Sequence, residues 1–171
     1  LKRYQPRPRN LEFAAEGGLE GCFTIGYVGT HGMAHGLSNV LEASSMIPPD
    51  SPIRFLLVGR GAEKAALVSE ARRRDLKLVV FAPAQTKDNI QEYWSLCDVA
   101  LIHLKDAPTF KTVIPSKTFE AMALALPMIV VAPEGGEVRK IVDTCLLYTS
   151  PSPRDATLAR GAGGGWKKKG G

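Results

Sequence analysis

Residues 114–123 read Ile-Pro-Ser-Lys-Thr-Phe-Glu-Ala-Met-Ala, and three of them have the chemistry to hold a phosphorylated sugar. Pro115 and Ser116 are good helix starters. A helix beginning there sets Ser116, Lys117 and Glu120, at i, i+1 and i+4, on a shared face at the positive end of its dipole. Lys117 can neutralise a phosphate, Ser116 can donate to one, and Glu120 can accept two ribose hydroxyls. The same spacing also describes an i, i+3 Lys–Glu surface pair of small energetic value. The residues alone leave both readings open. Phe119, Met122, Ala123 and Leu126 are expected to form the helix's buried face.

Two other stretches could meet an anion. In Gly29-Thr30-His31-Gly32-Met33-Ala34-His35-Gly36, glycines would let backbone N–H groups approach a phosphate closely. His31 and His35 could contact that phosphate or serve as capping and packing groups. The spacing Gly26-x-x-Gly29-x-x-Gly32 partly imitates a dinucleotide fingerprint. Gly26, however, falls inside the strand rather than in the turn after it, and the second strand ends in Gly59-Arg60 with no acid to hold an NAD ribose. In Gly59-Arg60-Gly61, Arg60 could stack on a base or meet a phosphate, or be an unpartnered surface arginine.

The elements that must position these loops alternate along the chain. Phe23–Val28, Ile53–Val58, Leu76–Phe81, Val99–Leu104 and Met128–Val131 are short, β-rich or apolar runs. Helical spacing falls between them: Leu37, Val40, Leu41 and Ser44; Ala62 to Arg74; Ile90, Tyr93, Trp94 and Cys97; Ser116 to Leu126. Unalternating strands joined by helices define an α/β fold, a doubly wound parallel sheet covered on both faces. Ligands bind such sheets at the carboxyl ends of the strands, where all three loops fall. Tyr93 and Trp94 are expected in the core rather than on a ligand. Arg72, Arg73 and Arg74 suit a solvated C-terminal turn.

The net charge of +5 is set by the ends. Lys2, Arg3, Arg7 and Arg9 contribute +4, the residues from Cys145 onward another +4, and the part between is left at −3. A mildly acidic body excludes nucleic-acid binding as the function. No apolar run is long enough to span a bilayer. The three cysteines, Cys22, Cys97 and Cys145, form no CxxC pair, and the expectation is a reduced, cytoplasmic compartment. The chain opens at Leu1 rather than Met, as a fragment or processed product would. Residues 145–155, Cys-Leu-Leu-Tyr-Thr-Ser-Pro-Ser-Pro-Arg-Asp, interrupt an amphipathic helix pattern and resemble a frame translation of a transposase adaptor used in sequencing libraries. The organisation expected is therefore a linker or leader over 1–18, a partial Rossmann-like domain over 19–144, and a non-native, disordered tail over 145–171.

IPSKTFEAMALALPMIVVAPEGGEV (residues 114–138) resembles the donor-site signature of GT-B glycosyltransferases, a pair of glutamates in E-x₇-E with an EAMA-like helix. Together with FTIGYVGTHGMAHGLSNVLEAS, IRFLLVGRGAE and QTKDNIQEYWSLCDVALIHLKD, it is similar to the WbuB-like branch, associated with amino-sugar transfer in surface-polysaccharide assembly. The resemblance implies two facing Rossmann-like domains. The C-terminal one, represented here in part, binds a nucleotide sugar without a metal or other cofactor. The missing N-terminal domain presents a saccharide or lipid-linked acceptor, and the full-length enzyme associates with a membrane peripherally. Carried over by motif, Glu120 holds the ribose, and Ser116 and Lys117 sit where the helix caps the diphosphate. Gly29, Thr30, His31 and Gly32 line its other side, and Ala82 and Pro83 read the base. The catalytic residue stays unassigned. Two departures stand out: eight residues before Glu120 is Thr112, not glutamate, and Thr30 and His35 stand where many relatives place Arg and Lys. The reaction implied is transfer from a UDP-linked sugar, with a retaining outcome. The alternatives are a UDP-sugar epimerase of the same fold and a non-catalytic nucleotide- or NAD-binding module.

Overall fold

The structure, a computed structural model, describes residues 4–144. The expectations for the stretch 145–171 lie outside the described residues. Five strands form one all-parallel sheet: β1 (Phe23–Val28), β2 (Ile53–Val58), β3 (Val79–Ala82), β4 (Val99–His103) and β5 (Met128–Val131), in the order β3-β2-β1-β4-β5. The chain returns to pair β4 beside β1, so the carboxyl ends of these two strands diverge at a topological switch point. This is the doubly wound α/β architecture expected from the alternating pattern.

Both sheet faces are covered, which is why the strands read as apolar runs rather than alternating ones. One face packs against α2 (Ser38–Ser45) and α3 (Lys64–Arg73) through Val40, Leu41, Leu67 and Ala71. The other packs against α4 (Ile90–Ser95), α5 (Ser116–Ala123) and α6 (Glu137–Thr144) through Trp94, Ala121, Val138 and Val142. β3 starts three residues later than its apolar run does. The amide of Leu76 bonds back to Ala71 and that of Val79 to Leu76, with Asp75 at a φ of 51°. The helix-ending turn thus consumes the first part of the run.

Ahead of β1, where a linker is expected, α1 (Leu11–Glu16) forms. The Asn10 side chain accepts the Phe13 amide at 3.0 Å as its N-cap. Ala14 is buried and Phe13 meets Tyr93 edge-on at 4.9 Å. Arg9 reaches under this helix. Its guanidinium donates to the carbonyls of Leu96, Leu19 and Cys22, to Thr24 Oγ1 and to the Asp98 carboxylate. One of the basic residues assigned to a charged leader is therefore a buried-side fastener between the N-terminal segment, β1 and the α4–β4 turn.

No helix among the described residues is long and apolar enough to cross a membrane.

Candidate functional site

The carboxyl edge of the sheet holds a cleft of about 270 Å³. Its walls come from the turn after β1 (Val28, Gly29, Thr30), the turn after β2 (Val58, Gly59, Arg60), the loop after β3 (Ala84 to Lys87) and the start of α5 (Ser116, Glu120), with Tyr4 and Ile90 at one side. Three loops singled out by their residue types therefore meet in one place.

The first two turns are pressed together, backbone on backbone. His31 N–H donates to the Arg60 carbonyl at 2.9 Å, and Glu63 N–H to the His31 carbonyl at 3.0 Å. A Cβ on Gly59 would overlap the Gly29 carbonyl, and one on Gly61 the His31 backbone; both have φ in the region that disfavours side chains, 152° and 156°. Lys64 closes the junction from below, donating to the carbonyls of Gly59 and Ala82 at 2.6 Å each. Burial lowers its pKa. Gly26, the glycine that mimics a dinucleotide fingerprint, serves packing: a Cβ there would overlap the Cys97 sulfur.

His31 does not face the cleft. It is fully buried, its ring tilted against Tyr27 at 5.8 Å and near Phe81 at 6.4 Å. Desolvation, with the charges of Lys64 and Lys117, pushes its pKa down to about 4, so the imidazole is neutral at pH 7. His35 is half-buried against Tyr27, 3.3 Å from the His103 carbonyl. Both histidines pack. The basic side chain nearest the turn after β1 comes instead from α5.

Lys117 points inward. Only 5 % of it is exposed, and its Nζ lies 3.5 Å over the Tyr27 ring centroid with no hydrogen-bond partner. The same ammonium sits against Gly29, close enough that a Cβ there would come within 3.2 Å of it. Tyr27 is itself fixed by donating to the Thr30 carbonyl at 2.6 Å. Desolvation pulls the Lys117 pKa down to about 7, against a smaller upward pull from Glu120. An ammonium group buried behind a glycine turn with no hydrogen-bond partner is costly to keep charged. A solvated Lys–Glu surface pair is thereby excluded.

The orientation of α5 corrects the expected buried face. Lys117, Thr118 and Ala121 are buried within the helix, with Leu124 just past it, whereas Phe119 is 40 % exposed and Met122, Ala123 and Leu126 are half-buried. Ser116 is exposed at the cleft rather than capping the helix. Glu120 is half-buried on the cleft wall and accepts a hydrogen bond from the Trp94 indole N–H at 3.1 Å. Trp94 is a core residue, as expected, yet one with a polar end aimed at the site. Thr112, the residue at the position of the absent glutamate, is exposed and does not line the cleft.

On the β3 side, Ala82 is buried with its carbonyl taken by Gly59 N–H and Lys64, and Pro83 is exposed. Neither lines the cleft. That wall starts two residues later, at Ala84 and Gln85, and Gln85 is held by donating to the Tyr93 hydroxyl at 3.0 Å and the Pro83 carbonyl at 3.2 Å. Tyr4, Lys64, Trp94 and the 84–87 loop are the functional neighbours that the sequence reading missed. Only the helical register of Trp94, next to Tyr93 on α4, hinted at any of them. Among the described residues no group of three or more His, Cys, Asp or Glu is arranged to hold a metal ion.

A doubly wound parallel sheet with a buried lysine under its first glycine turn, and a carboxylate one helical turn along, defines an α/β domain of the Rossmann type. The chain belongs to the glycosyl transferases group 1 family, whose profile matches residues 22–159. It is similar to WcaI of Escherichia coli K12, named as a glycosyl transferase of colanic acid biosynthesis, at 30 % identity over 118 residues, 69 % of this chain and 28 % of that protein. It is also similar to WbjE of Pseudomonas aeruginosa, named as a glycosyltransferase, at 29 % identity over 140 residues, 78 % of this chain and 33 % of that one. The chain thus spans about a third of the length of these relatives. Among solved structures, the C-terminal domain of LpcC from Francisella tularensis superposes with a TM-score of 0.65 at 19 % identity, over 89 % of this chain and 79 % of that one. Anabaena HepE in complex with UDP does so with a TM-score of 0.63 at 19 % identity, over 85 % and 45 %. The fold is that of GT-B glycosyltransferase domains.

Proposed function

We propose that this chain is the donor-binding part of a glycosyltransferase that moves a sugar from a nucleoside diphosphate, UDP-linked and carrying an amino sugar, to a saccharide or lipid-linked acceptor in surface-polysaccharide synthesis. The observation that carries this reading is the buried Lys117 ammonium, without a hydrogen-bond partner, lying behind Gly29, whose turn lines the same cleft as Ser116 and Glu120. HepE is described with UDP and with UDP-glucose, and the name of WcaI refers to colanic acid biosynthesis; both support the choice of ligand and pathway class. The acceptor is presented by a further domain of the whole protein, which works in the cytoplasm.

In this assignment the diphosphate sits between the Gly29–Thr30 turn and the first turn of α5. Ser116 donates to it, Lys117 neutralises it, and the free backbone N–H groups of the helix end add their dipole. Glu120 takes ribose hydroxyls, and Arg60 and the 84–87 loop flank the base. Charge grows on the leaving diphosphate as the glycosidic bond breaks, so a preorganised cation there stabilises the transition state more than the ground state. Gly32, His31, Ala82 and Pro83 support the walls from behind rather than touching the donor.

Titration with UDP tests the reading directly. UDP binds, NAD does not, and Glu120→Ala weakens UDP by at least tenfold, the cost of losing hydrogen bonds to a charged acceptor. Unaltered UDP affinity in that variant would remove the donor-site assignment, and isomerisation of a UDP-sugar by the whole protein would replace transfer with epimerisation.

A further inference from the structure

We infer that Trp94 is a positioning residue for ribose recognition: its indole N–H occupies Glu120 Oε2 and so turns the carboxylate to present its other oxygen to the sugar of the nucleotide. The inference rests on the donor-site reading above and concerns how that site is tuned.

The geometry is specific. Trp94 is 1 % exposed and packed in the core cluster beneath α5, so its ring cannot rotate away. Its one polar atom reaches Glu120 at 3.1 Å across 26 residues of sequence. A carboxylate on a helix wall samples several side-chain torsions, and ordering it costs conformational entropy each time a ligand binds. The indole has already met that cost. It also divides the acceptor capacity of the carboxylate. Oε2 is partly used, whereas Oε1 keeps its lone pairs free for a hydroxyl.

The same short helix fixes the opposite wall. Tyr93, the neighbour of Trp94, accepts from Gln85 at 3.0 Å and so holds the 84–87 loop. Phe13 of α1 packs on the Tyr93 ring at 4.9 Å. Helix α4 thus joins, through adjacent aromatic residues, the carboxylate on one side of the cleft and the loop on the other.

The test compares two probes, UDP and 2′,3′-dideoxyuridine 5′-diphosphate, which lacks the hydroxyls. The full chain binds UDP in preference to the dideoxy compound. Trp94→Phe keeps the aromatic packing and deletes the N–H. Benzothienylalanine at position 94 keeps the bicyclic shape as well, which separates the hydrogen bond from any cavity. Both variants reduce the preference for UDP by about tenfold, the lower end of the range for a hydrogen bond to a charged group, and leave the dideoxy affinity unchanged. In a Glu120→Ala background the Trp94 substitution has no further effect on the preference. Equal weakening of both probes would make Trp94 a packing residue only, and a wild-type preference in the benzothienylalanine protein would overturn the proposal while leaving the donor site intact. A preference that survives Glu120→Ala would instead defeat the assignment of Glu120 to the ribose.

Discussion

Burying an ammonium group without a hydrogen bond is costly, and Lys117 meets that cost in the folded chain. Its pKa is near 7 when folded against 10.5 as the ordinary value. Between those values the unfolded chain holds more protons than the folded one, so stability rises with pH across the window. Lys117→Met removes the slope and raises stability at pH 7 by roughly 1–4 kcal/mol, as replacement of buried charge by apolar volume does, while UDP affinity falls. Thermal unfolding of both proteins between pH 6.5 and 9.5 checks this, and an unchanged slope in the variant would refute it. Binding supplies the missing anion and draws the lysine back to its charged form. Calorimetry at pH 8 in buffers of different ionisation enthalpy should therefore show proton uptake approaching one per UDP in the parent chain and none in Lys117→Met. At this scale the residue types of the site were legible in the sequence. Lys117 and Glu120 stood out by chemistry, whereas the roles of Tyr27 and Trp94 were not visible, because a ring under a lysine or an indole on a carboxylate depends on contacts 90 and 26 residues apart.

At the scale of elements, the turns after β1 and β2 act as one rigid block, joined by backbone hydrogen bonds and by the absence of side chains at Gly59 and Gly61. Gly61→Ala adds a methyl group against the His31 backbone at a φ of 156°. We expect a loss of about 2–3 kcal/mol in urea unfolding together with weaker UDP binding, since the shifted turn carries Thr30. A loss below about 0.5 kcal/mol, the ordinary surface level, would show that the block yields easily. The elements themselves follow the sequence closely. β1, β2 and β5 keep the bounds of their apolar runs because a strand buried on both faces needs an apolar residue at nearly every position. The face of α5 does not follow. Apolar residues lie on two sides of that helix, and periodicity alone ranks Phe119 and Met122 above Lys117 and Thr118. The choice of side belongs to the sheet beneath, which buries Ala121 and brings the lysine end over Tyr27 and against Gly29.

Across the whole molecule, the N-terminal segment is tied into the domain. Arg9 donates five hydrogen bonds, one of them within the ion pair with Asp98 at 3.1 Å and three of them to backbone carbonyls. Arg9→Ala removes the donor that joins five part-buried acceptors on three segments, and the expected loss is about 1–3 kcal/mol by chemical denaturation. A neutral result would return this segment to the status of a leader. The chain spans about a third of its curated relatives, and we expect it to bind UDP without releasing it from a UDP-sugar in an acceptor mixture. Mass spectrometry of the mixture is the check, and turnover by this chain would assign the acceptor site to it.

What the sequence determined by itself was the alternation of strands and helices from β1 onward, and the carboxyl edge of the sheet as the place where the glycine turns and the start of α5 gather. These follow from short-range rules: strand and helix periods, helix starters, and glycine turns. Only the tertiary structure decided which way Lys117 points, that His31 turns into the core, that the loop wall begins at Ala84 rather than Ala82, and that Trp94 grips Glu120. Each of these depends on how helices rest on a twisted sheet, and on desolvation, which acts between residues brought together by folding rather than by adjacency in the chain.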